Sequence, residues 1–401
     1  MVLRQNWREG QRDGVDYAYT CPSPSYYPYQ WYWDSCFCAI ARRKSDPKRA
    51  RQELLTLLKA QHEDGFIPHT VFWDGRVRLS RVGIYNIQHL SDKGTSTIQP
   101  PLLAWAWELV AAESGDQAEE FIRAGVEPLK RHYDWLQRER DLDDDGLISI
   151  IQPDESGLDG SPKFDSIWGW RGWGRPGQAL GVWRNRRLGF NARRIAAKFD
   201  YHQEEVLTNV MYKMGLDSLA RLLGEAGKPY TERAEKTLWA LVDNCYDEST
   251  GLFFDLVGED ERMLRVNTWS SLAPLIMPDC PKDIARRLVE HLMNSREYHT
   301  PVPIPSVATN EPSFRAGDRG LLLHRYWRGP SWVNTTWLLI PAMRRLGYAA
   351  EAERLLRPLL KAVTKSGMRE YYDARSGEGL GAKDFAWSTL VLDLIPGETG
   401  P

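Results

Sequence analysis

Glu370 opens the run Glu-Tyr-Tyr-Asp at 370–373, and Asp159 closes Glu-Ser-Gly-Leu-Asp at 155–159. Both carboxylates lie in stretches rich in rings and glycines, whereas acidic side chains ordinarily occupy wet, polar faces. Burial disfavours the charged form of a carboxyl group, so one acid in a dry cleft stays protonated near neutrality while a second remains ionised as a base. A proton donor facing an ionised carboxylate is the minimum equipment for breaking a glycosidic bond. Residue types alone leave rivals: Glu155 shares the motif of Asp159, and Glu378 in GEGLGAKD (377–384) competes with Glu370.

Rings and polar side chains suited to a sugar cluster in three further places. Asp34 follows Tyr29, Trp31, Tyr32 and Trp33 in YQWYWDS (29–35), where a carboxylate can accept hydrogen bonds from sugar hydroxyls or cap the helix that starts there. Gln99 stands before Pro100 and Pro101 and either offers its amide to a hydroxyl or simply precedes a Pro-initiated helix. Tyr326, Trp327 and Trp332 in YWRGPSW (326–332), like Tyr371, can stack on a pyranose face or fill a core, and for Trp337 core packing is the better reading.

Helices must carry these groups. Apolar residues recur every three and four positions over 47–61, 98–113, 118–138, 203–224, 230–244, 283–294, 332–346, 349–364 and 384–395, and alternating runs are short and few. The spacing predicts eleven or twelve helices in antiparallel pairs. Acidic-Gly-apolar runs at 63–69, 143–149, 247–255 and 373–381 fit Gly-broken turns from an outer helix to the next inner one. Six such pairs closed into a toroid form an all-α (α/α)6 barrel, with a functional mouth made of helix ends and loops. The Gly-, Trp- and Arg-rich stretch near 152–200 reads as a long, loop-rich insertion, and no linker divides the 401 residues, so 1–401 is expected to be one catalytic domain.

Fifty-two basic against 54 acidic residues leave a net charge of -2, which favours neither a nucleic-acid nor an anionic-membrane partner. Five cysteines, with Cys36 and Cys38 too close for a metal-type pair, suggest reduced thiols and a cytoplasmic setting. No apolar run follows the N-terminal charges and none is long enough to span a bilayer. DLDDDG (141–146) carries Asp at positions 1, 3 and 5 and Gly at 6 of a calcium loop, but Gln152 holds position 12 where a bidentate Glu is required, so no metal is expected. The same stretch contains the DLDD pattern of class II terpene cyclases, in a polar turn unsuited to protonating a polyene.

PYQWYWDSCFCAIA (28–41), STIQPPLLAWAWE (96–108), DESGLDGSPKFD (154–165), HRYWRGPSWVNTTWLL (324–339) and REYYDARSGEGLGAKDFAWSTL (369–390) together resemble glycoside hydrolase family 63. Within it they are most similar to the compact bacterial mannosylglycerate and glucosylglycerate hydrolases. The resemblance extends from about residue 26 to 392 and implies an (α/α)6 barrel, an inverting mechanism and no cofactor. It implies Asp159 as general acid and Glu370 as general base, cleaving the α-glycosidic bond of mannosylglycerate or glucosylglycerate to hexose and glycerate. A carboxylate aglycone calls for a cation, and Arg171, Arg175, Arg184, Arg186 and Arg187 crowd the insertion. A general α-glucosidase or trehalase-like enzyme, a non-catalytic sugar-binding barrel and a terpene cyclase are the competing expectations.

Overall fold

The structure is a computed structural model that describes residues 1–73, 75, 85–168, 174–199, 201–318 and 326–395. The side chains of 168 and 174–178 lie outside that description. Among the described residues, six segments pack each against the next and the last against the first: Tyr32–Arg42, Leu103–Ala112, Val206–Leu223, Trp269–Ile276, Val333–Arg345 and Ala386–Leu390. Outer helices Pro47–Leu58, Ala118–Arg140, Lys228–Ala240, Lys282–Met293 and Ala349–Ser366 back the first five in that order. A single turn, Val2–Gln5, lies against the sixth. The architecture is the expected (α/α)6 barrel.

Burial separates the two rings. Ten of the eleven residues of Tyr32–Arg42 are buried, as suits a helix with protein on every side. The outer helix Ala349–Ser366 instead buries one stripe, Ala352, Leu355, Leu356, Leu359, Ala362 and Val363, whose spacing of three and four is the signal read from sequence. The inner segment Trp269–Ile276 is a 3₁₀ helix with Pro274 inside it, and Ala386–Leu390 is another that continues into Val391–Leu394. Such short pieces carry no 3.6-residue period, so 269–276 gives no helical signal. The insertion is less loop-like than expected: Gly174–Arg187 and Ala192–Phe199 are helices, and a satellite cluster of Ile151, Val182, Phe190, Ile195 and Tyr201 anchors them. Glycines at 174, 177 and 181 hide the first from a propensity reading.

Short extended stretches lead into the inner helices and tie their starts together. Gln30–Trp31 pairs with Thr70–Val71, Gln203–Glu204 pairs with Asp255–Val257 and bridges Ile150, Thr268 bridges Val307, and Ser331 bridges both Pro305 and Tyr372. One mouth of the barrel is therefore lined by the N-terminal ends of inner helices. The four acidic-glycine runs follow outer helices, and Gly65, Gly146, Gly251 and Gly377 within them all have positive φ. All five cysteines are buried and unbridged. No helix among the described residues is long and apolar enough to cross a membrane.

Candidate active site

The segment carrying Asp159 has little regular structure and is held from both ends. At one end Glu155, fully buried, takes both guanidinium nitrogens of Arg140 at 2.7 Å and the backbone N–H groups of Ile98 (2.9 Å) and Ile151 (2.7 Å). Its lone pairs are thus committed to the scaffold, and it ties three separate segments together. At the other end the buried Lys163 ammonium binds Glu205, Asp255 (3.0 Å) and Ser270 Oγ (3.1 Å). Glu205 in turn caps the 206–223 helix through the Thr208 N–H at 2.6 Å. Between these anchors Gly157 has φ +69° and lies under the Trp33 ring, where an added Cβ would come within 2.6 Å of the ring. Only glycine fits both that conformation and that approach.

Asp159 is part-buried, and the Tyr326 hydroxyl donates to its Oδ2. Burial holds its carboxyl above the usual range, and the Tyr326 hydrogen bond opposes that rise. Two residues beyond Tyr326, Arg328 pairs with Asp165 (2.8 Å for one of two contacts), so the YWR run grips the acid-bearing segment twice.

Glu370 lies on the strand Arg369–Tyr372, which pairs antiparallel with Gly379–Lys383 through an irregularity between Arg369 and Tyr371. The irregularity lets the side chain turn back: Oε2 accepts the Ala382 N–H at 2.8 Å, and Oε1 accepts the Tyr27 hydroxyl at 3.2 Å. Gly381, at φ +61°, makes room, because a Cβ there would stand 2.5 Å from Oε2. The residue is 7% exposed, and burial pushes its carboxyl up to about 7 despite both hydrogen bonds, with the negative charges of Asp159 and Asp318 adding to the rise. Tyr27 is itself raised by burial and then by the charges of Glu370 and Asp159. The two carboxylates therefore share one electrostatic site. Glu378, the rival, is exposed to solvent.

Asp34 sits in the first turn of the 32–42 helix, buried, and burial followed by the charge of Glu370 drives its carboxyl well above the usual range. Gln99 accepts the Trp33 backbone N–H at 3.0 Å, satisfying one of the orphan donors at the start of that helix. Trp332 is covered on both sides, by Trp327 (centroids 3.8 Å, interplanar 5°) and by Tyr371 (4.7 Å), and all three rings are buried. Trp33 packs edge-on against Trp387 at 5.3 Å. These rings brace the site wall. Tyr27 and Tyr326, whose hydroxyls bond the two carboxylates, are part-exposed, as is Trp31, which meets Tyr27 edge-on at 5.9 Å and whose buried Nε1 has no partner among the described residues. Tyr29 stands apart, in a small cluster with Phe72 and Ile87.

Among the arginines read from the insertion, Arg171 and the side chain of Arg175 fall outside the described residues. Arg186 binds the Ile87 carbonyl at 2.8 Å, Arg187 covers Trp183 at 4.5 Å, and Arg184 covers Phe199 at 4.6 Å. Sequence reasoning missed Tyr27, Arg140, Lys163, Glu205 and Asp318. Lys163 stands among Ser161, Pro162, Phe164 and Asp165, and Glu205 follows His202, Gln203 and Glu204, so no local pattern marks either of them, or Tyr27.

Comparison with known proteins gives the family. A family model described as the mannosylglycerate hydrolase MGH1-like glycoside hydrolase domain matches residues 27–388. The chain is 30% identical to a mannosylglycerate hydrolase of Rubrobacter radiotolerans over 98% of its own length and 95% of the relative's. It is 27% identical to a glucosylglycerate hydrolase of Mycolicibacterium hassiacum, over 94% of each chain. The crystal structure of a family 63 mannosylglycerate hydrolase from Thermus thermophilus, in complex with Tris and D-glycerate, superposes with a TM-score of 0.83 at 27% identity, covering 97% of each chain. The chain belongs to the family of mannosylglycerate hydrolase MGH1-like glycoside hydrolases.

Proposed function

We propose that this glycoside hydrolase cleaves an α-linked hexosyl-glycerate, mannosyl or glucosyl, with inversion at the anomeric carbon. Asp159 is the proton donor: it protonates the glycosidic oxygen as the C–O bond breaks, so that glycerate departs with its hydroxyl neutral. Glu370 takes a proton from a water that attacks the opposite face of the ring, giving the β-hexose. Inversion leaves room for that water between carboxyl groups separated by about 6.5–9.5 Å. One observation carries the assignment: two desolvated carboxyls, the charge of one raising the proton affinity of the other, are each held by a tyrosine hydroxyl.

Alternatives within the motifs are disfavoured by their surroundings, since Glu155 has its oxygens filled by Arg140 and backbone N–H groups and Glu378 faces water. Asp34, Trp31, Tyr27 and Tyr326 are the proposed hexose contacts, with Gln99, Trp33, Trp327, Trp332 and Tyr371 fixing their positions. The relatives named for mannosylglycerate and glucosylglycerate, and the D-glycerate in the Thermus structure, support glycerate as aglycone. Arg171 and Arg175 are the candidates for its carboxylate. The whole chain acts as one catalytic domain, supported by a main core cluster that runs from Tyr19 to Leu394, and its five unbridged thiols support a cytoplasmic setting.

Hydrolysis of mannosylglycerate, glucosylglycerate and trehalose side by side, with the first-formed anomer followed by NMR, tests the reading. Turnover of a hexosyl-glycerate with initial β-hexose is expected. Turnover of trehalose alone would replace the substrate, and initial α-hexose would reject inversion.

A further inference from the structure

Besides Asp159 and Glu370, the fold gathers a second group of carboxylates that the proposed chemistry does not use. The turn after the 118–140 helix carries Asp141, Asp143 and Asp145, whose oxygens converge to within 4.8 Å of one another. Asp145 also converges, within the same limit, with Glu204 and Glu261, and Asp143 with His202 and Glu204. Gly146 follows with φ +103°, the sharp bend that position 6 of a calcium loop needs.

Like charges gathered in a turn are common and by themselves mean little; Glu204 is the uncommon member. It is 1% exposed, on the short strand Gln203–Glu204, and neither carboxylate oxygen has a hydrogen-bond partner among the described residues. Asp141 is 4% exposed and its Oδ1 is likewise unpartnered. A buried carboxylate without donors costs several kcal/mol unless it is protonated or meets a cation. The ammonium of Lys236, whose charge is felt at Asp141 and Asp145, donates to the Asp144 carbonyl instead of to these oxygens.

We propose that Asp141, Asp143, Asp145, Glu204 and Glu261 form a calcium site. Calcium takes six to eight oxygens at about 2.3–2.6 Å, and oxygens bound to one such ion lie at most about 5 Å apart; each of the three overlapping groups meets that limit, and Asp143, Asp145 and Glu204 are shared between them. The turn supplies positions 1, 3 and 5 of the loop pattern, and Gln152 at position 12 supplies no carboxylate. Glu204, from a strand 52 residues further along, provides it instead. Five carboxylates against one imidazole favour calcium over a softer metal. Bound there, the ion ties the turn to the strand that leads into Glu205, the partner of Lys163, and so stabilises the framework around Asp159.

Calorimetric titration and thermal unfolding of the EDTA-treated full chain decide the matter. One Ca²⁺ per chain is expected with Kd between about 10⁻⁷ and 10⁻⁵ M, with Mg²⁺ at least about tenfold weaker. Tm should rise with Ca²⁺ concentration as binding to the folded state requires. Glu204→Gln should abolish both responses, because an amide offers no anionic oxygen to the ion. Asp143→Asn, at an exposed position, should weaken Ca²⁺ at least about tenfold, and it decides alone if Glu204→Gln does not fold. The proposal is overturned by absence of Ca²⁺ binding up to about 1 mM, by binding unchanged in the variants, or by Zn²⁺ binding where Ca²⁺ leaves heat and Tm unaltered.

Discussion

Replacing Glu370 by Gln separates the chemistry of this residue from its cost to the fold. The amide keeps the shape and still accepts the Ala382 N–H, but it cannot ionise. In the folded protein burial raises Glu370 from 4.5 to about 7, so between those values the native state holds a proton that the unfolded chain has released. The stability contributed by this group is then fully present below about pH 4.5 and is lost as pH rises through about 7. From about pH 5.5 to 8.5 the wild type should lose about 2 kcal/mol through this group, which is about 1.5 pKa units at 1.4 kcal/mol each. For a chain of this size that is a relative Tm difference of about 2 °C. Glu370→Gln should therefore match the wild type in thermal scans near the acid end and exceed it near the alkaline end, while its kcat falls at least about a hundredfold. A Tm difference independent of pH, or retention of more than half the activity, would refute the assignment of a desolvated, ionising base.

The other predictions concern the neighbours of the pair. Asp159→Asn should cut kcat at least about a hundredfold with little change in the denaturation midpoint, and any residual activity should show its acidic limb at lower pH, since one negative charge no longer raises Glu370. Tyr326→Phe removes the hydrogen bond that favours ionised Asp159, so the alkaline limb of kcat/KM should move to higher pH with about a tenfold loss of rate; an unmoved limb would detach Tyr326 from the acid. Arg140→Met leaves Glu155 buried and unpaired, and urea unfolding should report a loss of about 3–5 kcal/mol. Gly381→Ala should reduce kcat at least about tenfold, because the methyl group would stand 2.5 Å from Glu370 Oε2 and push the carboxylate aside; wild-type rates would show that the carboxylate has another home.

The outer ring was legible because its helices bury single stripes, as Ala349–Ser366 does, and the inner ring because strong apolar runs such as Val206–Leu223 sit between those stripes. The Trp269–Ile276 segment was not, since a 3₁₀ piece with an internal proline carries no period. At the site, short motifs marked the two carboxylates, but motif membership says nothing about which way a ring faces. Trp332 and Trp31 are the same residue type in similar company, yet one is enclosed between rings and the other is part-exposed against the edge of Tyr27. Tyr27 reaches Glu370 across 343 positions, and Arg140 reaches Glu155 only because a helix end and a loop return to the same place. Such pairings are products of tertiary closure and leave no trace in local composition.

The ion pairs at Glu155 and Lys163 also constrain traffic. With both ends of the 155–163 span fastened to the scaffold by desolvated charges, excursions of this stretch are confined to its few middle residues, and swinging it aside would expose two unmatched ions at once. Admission of the disaccharide-sized solute and escape of its products must then depend on other rim segments. Turnover limited by product exit would respond to changes in those segments, while Asp159 stays in place between its two anchors.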